Sequence, residues 1–171
     1  MQTRLAPTIV SFWTILLLLW AGMLSAAAPS AELITFWNAS NESNSAKIDH
    51  SAWQSLLNRY LDANHPSGIN RFDYKSLKAN SDDKQVLRDY LSYLKDLEPR
   101  EYSKAEQKAY WINLYNALTI HVVLGRFPVE SIKKIGFFGP WNKKLIKIMR
   151  KRVTLNNIEH GILRPIWDDN R

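Results

Sequence analysis

The dipeptide Glu159-His160 offers the best local acid–base pairing in the sequence, a carboxylate beside the one side chain that titrates near neutrality. Adjacent residues on a helix point about 100° apart, so the two need not touch. A second constellation is Asn113 and Asn116, three residues apart in an apolar run and therefore about 60° apart around a helix, with Trp111 and Tyr115 beside them as candidate binding residues. By the same step Glu106 and Tyr110 share the amide face. A buried amide left unpaired costs about 1–3 kcal/mol, so these two are expected to have partners. They either hold a neighbouring loop by its backbone or orient a substrate or a catalytic side chain. His121 is expected to be a hydrogen-bonded core histidine. A third feature is a run of six basic side chains in ten residues, Lys143, Lys144, Lys147, Arg150, Lys151 and Arg152. Such a run either solvates a hairpin face or meets anionic lipid headgroups.

Other chemistries find little in the sequence. There is no cysteine, so thiol nucleophiles and disulfides are excluded within these 171 residues. The four histidines, His50, His65, His121 and His160, have no metal-ligand spacing, and no metal or cofactor is expected. The six glycines form no phosphate loop, and no Gly-x-Ser-x-Gly elbow is present.

The elements that must position these residues follow from periodicity. Residues 104–124 predict a central helix that is apolar on nearly every side, opened by a Ser103/Glu106 capping box and closed by Gly125 in a left-handed conformation. It is too polar at its two amides and imidazole to span a bilayer. Trp53, Leu56, Leu57, Tyr60 and Leu61 give one apolar stripe on a helix over 49–64, and Val86, Leu87, Tyr90, Leu91, Leu94 and Leu97 another over 81–97. Asp82 and Asp83 sit against the positive end of the latter. Residues 69–74 suggest a short strand, 129–134 one helical turn, and 145–149 with 153–155 a hairpin that lacks a turn glycine. Thr154 caps a last helix, 155–164, stopped by Pro165. The fold class is mainly α, α+β at most, with four to five helices around 104–124 and a small hairpin near 145–155.

The N-terminus reads as an export signal. Arg4, the apolar stretch Ile9–Leu24 and Ser25-Ala26-Ala27 form the three parts of a signal peptide over 1–27, with an uncleaved anchor as the alternative. The polar tract 28–46 reads as a linker before a single domain, 47–171. An exported chain, formal charge +7 overall, meets little nucleic acid but much anionic envelope surface, the expected partner of the basic run.

Ala109-Tyr110-Trp111-Ile112-Asn113-Leu114-Tyr115-Asn116-Ala117-Leu118 resembles a signature of the domain of unknown function family numbered 547. So do Phe127-Pro128-Val129-x-Ser131-Ile132, Pro140-Trp141 and Leu155-x-x-Ile158-Glu159-His160-x-Ile162-Leu163-Arg164, and Phe72-Asp73-Tyr74 is similar to its entry motif. The likeness runs from about Ser51 to Arg171. It implies an often exported domain of unassigned activity. Where the family tends to have a hairpin glycine, this sequence has Arg150-Lys151. The family pattern also continues past Asp168-Asp169-Asn170-Arg171, so the chain looks like the front half of such a domain. It would then contribute only supporting residues, Asn113 and Asn116 to orient and Glu159 and His160 as polar partners. Two other readings stand beside this one. One is an envelope-binding module that uses the basic hairpin with Phe137, Phe138 and Trp141. The other is a hydrolase built on Glu159 and His160.

Overall fold

A computed structural model describes residues 31–168; the expected signal peptide lies outside them. The chain is mainly helical, as the periodicities imply. In order come α1 (Ser51–Tyr60), β1 (Leu61–Asp62), β2 (Arg71–Phe72), α2 (Tyr74–Ala79), α3 (Ser81–Asp96) and α4 (Lys104–Leu124). After a long loop follow β3 (Ile146–Ile148), β4 (Lys151–Val153), and a last helix that begins as α5 (Leu155–Ile158) and ends as α6 (Arg164–Trp167).

Helix α4 is the centre. Tyr110, Trp111, Leu114 and Ala117 have no exposed surface, and the buried side chains of α1, α3, the second hairpin and the last helix join them in one core. Ser103 accepts the Glu106 backbone N–H, as the capping motif requires. The Glu106 side chain does not complete the box; it takes the Lys47 ammonium at 2.8 Å and the Ile48 N–H at 3.1 Å instead. Gly125 is right-handed, with φ −64°, contrary to expectation. Its N–H still reaches the His121 carbonyl, and the Lys78 ammonium closes the Leu124 carbonyl at 2.8 Å, so no left-handed turn is needed.

Two further expectations are corrected. Residues 31–46, read as a linker, lie along the domain: Trp37 is buried against the Trp111 ring at 5.0 Å, and the Gln107 side chain donates to the Ala39 carbonyl at 3.0 Å. The tract's polar side chains bond backbone, as Asn44 does to the Glu101 carbonyl at 2.6 Å, and so pack without an apolar stripe. Pro165 does not stop the last helix, which runs to Trp167 through a π-helical turn, Glu159–Leu163.

The second hairpin forms as expected, joined by Met149 and Arg150, both in the left-handed region (φ 47° and 64°). The burial of Ile148 and Val153 outweighs the unfavourable turn residues.

Candidate functional site

The π turn determines what Glu159 can touch. Thr154 and Asn157 form a reciprocal capping box that starts the last helix, and Leu155, Ile158 and Ile162 anchor it in the core. Within the turn the Arg164 N–H bonds the Glu159 carbonyl, five residues back. In an α-helix positions five apart are not neighbours on the surface. Here the Arg164 guanidinium donates to Glu159 Oε1 at 2.9 Å. Pro165 has no N–H to offer the Gly161 carbonyl four residues back. That carbonyl accepts the Ile34 N–H at 2.8 Å from the other end of the described chain. A Cβ at Gly161 would stand 2.5 Å from Ile34 Cδ1, so any larger residue there would have to displace the Ile34 side chain.

Glu159 is the hub of the resulting cluster. The Tyr115 hydroxyl on α4 donates to Oε2 at 3.0 Å, while His160 Nε2 stands 3.8 Å from Oε1, beyond hydrogen-bond length. Burial, and then the adjacent Glu159 charge, push the Tyr115 hydroxyl up to about 12; the Trp141 side chain acts the other way. Tyr115 therefore stays protonated and serves as a donor at neutral pH. The His160 ring is buried, and its Nδ1 has no hydrogen-bond partner among the described residues. Beside it opens a cavity of about 280 Å³ lined by Glu32, Ile34, Asn156 and Asn157.

The sequence-derived candidates divide. Glu159, His160 and Tyr115 come together. Trp111 is wholly buried against Trp37 and Tyr110 and presents no surface to a ligand. The amides do not form the expected buried pair: Asn113 is half-buried, Asn116 is exposed, and neither side chain has a hydrogen bond among the described residues. The reason is angular. Tyr110, Asn113 and Asn116 step round α4 by about 60° each, so the same edge passes from fully buried to exposed. His121 is likewise exposed, not a core histidine. Arg164 was missed as a site residue because α-helical spacing cannot put it beside Glu159. The available signal was a proline inside an apolar helical pattern, four residues after a glycine.

The basic run is only partly a surface. Lys147 stands directly across from Arg152, an unfavourable pairing of like charges. Lys151 is committed elsewhere, its ammonium 4.2 Å over the Phe36 ring. Phe137 and Phe138 project from the loop between α4 and β3 with 99% and 91% of their surfaces exposed. Lys143 stands against the base of that loop at Gly136.

Residues 99–170 match the family model described as Protein of unknown function, DUF547. This is the family that the Trp-Ile-Asn-x-Tyr-Asn and Ile-Glu-His motifs resemble. The matched segment begins at the Pro99–Glu101 turn and takes in α4, the second hairpin and the last helix, hence the whole Tyr115–Glu159–Arg164 cluster. It is narrower than the likeness from about Ser51, leaving α1 to α3 outside the match. No curated protein and no solved structure matches the chain.

Proposed function

We propose that the chain is an exported DUF547 protein that docks on anionic membrane surface through the Phe137–Phe138 loop and the neighbouring basic side chains. The observation that carries this reading is the nearly complete exposure of two adjacent phenylalanines in a loop with Lys143 at its base. Burying each ring in the interfacial region is worth about 2 kcal/mol. Each lysine or arginine held near an anionic leaflet adds about 1 kcal/mol. Lys147 and Arg152, repelling one another across the hairpin, gain further from an anionic partner. Export rests on the charged, apolar and small-residue order of residues 1–27.

Sedimentation of the protein with vesicles tests this. Binding to phosphatidylglycerol-containing vesicles, absent on pure phosphatidylcholine, should fall steeply with added salt. Phe137→Ser with Phe138→Ser should weaken it by about a thousandfold, and Lys144→Glu with Lys147→Glu should also weaken it. Binding that ignores salt, or no binding at all, overturns the reading.

A second reading is favoured by the π turn, a geometry frequent at functional sites. In it Glu159, its oxygens held by Tyr115 and Arg164, is a positioning group, and His160 carries the proton in a hydrolytic reaction. Hydrolysis of simple ester and amide substrates by the wild type, lost in a Glu159→Gln, His160→Ala double variant, supports it. An inert wild type, or a fully active double variant, removes it.

A further inference from the structure

Two cavities, of about 360 and 300 Å³, open on either side of His121 and share Gly125 as a common wall. The first is lined by Arg126 and Lys143, the second by Lys78, Lys84 and Arg88. No carboxylate lines either one. Their floors are apolar, Leu118, Ile135 and Leu145 on one side and Leu87 and Leu124 on the other. Five cationic side chains from α2, α3 and the loop after α4 thus line the two cavities that meet at His121, and no carboxylate lines either, which would be unfavourable if they held only water.

The donors have capacity to spare. Lys84 spends one N–H on the Lys78 carbonyl at 2.8 Å, and Arg88 uses Nε and Nη2 on Gln85, leaving Nη1. His121, Arg126 and Lys143 have no side-chain hydrogen bond among the described residues. The end of α4 would ordinarily repel an anion. Here its carbonyls are occupied: Gly125 N–H bonds the His121 carbonyl at 3.2 Å, Arg126 N–H the Val123 carbonyl at 2.9 Å, and Lys78 those of Leu124 and Phe127.

We infer that this groove is a binding site for a phosphate group, with His121 at its centre and Arg88, Lys84, Arg126 and Lys143 around it. A phosphate monoester carries close to two negative charges at neutral pH and accepts several hydrogen bonds at once, which matches a ring of separate cationic donors. The apolar floors accommodate an uncharged substituent on that phosphate. Free inorganic phosphate and a lipid phosphomonoester headgroup share this chemistry. The apolar walls desolvate the charged imidazole and Arg88 repels it, both of which hold the His121 pKa below its usual value. A bound phosphate reverses that balance, so His121 reports occupancy.

The test is a titration of the full chain with inorganic phosphate, followed by the His121 ring signals in NMR. Saturable shifts in the millimolar range are expected, with the titration midpoint of His121 moving up when phosphate is bound. Arg88→Gln with His121→Gln should lower affinity at least about tenfold, a change equivalent to roughly 1.4 kcal/mol. Both side chains are exposed, so the variant keeps its fold, which an unchanged thermal transition verifies. Phe137→Ser with Phe138→Ser, expected to weaken vesicle binding, alters no residue that lines either cavity and should leave phosphate binding intact, so this site and the docking loop fail separately. A monomeric short-chain phosphatidic acid binding more tightly than phosphate supports the site and identifies a lipid headgroup; equal affinity supports it and identifies the free anion. Linear, unsaturable shifts at every surface cation, or wild-type affinity in the double variant, overturn the inference.

Discussion

Asp83 shows how much one side chain can carry here. It is 3% exposed, and its carboxylate accepts the Tyr60 hydroxyl at 2.6 Å, the Asn80 amide at 3.1 Å and the Arg59 guanidinium. The Tyr60 hydrogen bond, and after it Arg59, hold its pKa below the ordinary carboxylate value. Arg59 is itself more than half exposed, so solvent screens its share and the buried tyrosine bond matters more. A depressed carboxylate stabilises the fold above its unfolded pKa, and the contribution disappears as pH falls through the folded one. Asp83→Asn should therefore lower unfolding free energy by about 2 kcal/mol at pH 7 in a urea titration. The gap to wild type should shrink in acid, below about pH 3.9. An equal gap at both ends would refute the charged role. From sequence, Asp83 reads only as a first-turn acid on α3, because Arg59 and Tyr60 sit on another helix. The same limit hides Tyr115 from Glu159.

Among the elements, helices with a one-sided apolar stripe are legible and departures from α geometry are not. The stripes of α1 and α3 and the caps at Ser103 and Thr154 appear where periodicity and side-chain chemistry put them. Asn80 accepts the first-turn N–H groups of α3. The π turn is barely legible because a five-residue step leaves one mark in the sequence, Pro165 four residues after Gly161, while the Arg164–Glu159 pair appears only in the fold. The second hairpin is instructive in the other direction. Its turn holds Met149 and Arg150 in a conformation that disfavours side chains by about 1 kcal/mol each. Arg150→Gly should accordingly raise stability by about 1 kcal/mol in thermal or chemical denaturation, with vesicle binding only slightly weakened by the lost charge. A destabilised Arg150→Gly variant would mean that the arginine makes a contact worth more than the turn strain.

For the molecule as a whole, the mainly helical class and the central place of α4 follow from the sequence, since an all-round apolar helix has to be surrounded. The layout of charge does not follow. Lys78, Lys84 and Arg88 are far from Arg126 and Lys143 in sequence, and only the packing of α2 and α3 against the end of α4 gathers them about His121. The tract 31–46 was illegible for a related reason: its anchors, the Trp37 ring on Trp111 and hydrogen bonds to and from distant segments, depend on partners that composition does not reveal. One of those anchors bears on how the protein is made. Ile34 and Gly161 stand at opposite ends of the described chain, yet their peptide groups bond directly. Contacts closing so large a loop form late, after the local helices. A ribosome therefore has to release the chain through Gly161 before the Glu159 turn finds its support, so a nascent chain stalled before Gly161 should hold a formed α4 with its early strap still undocked.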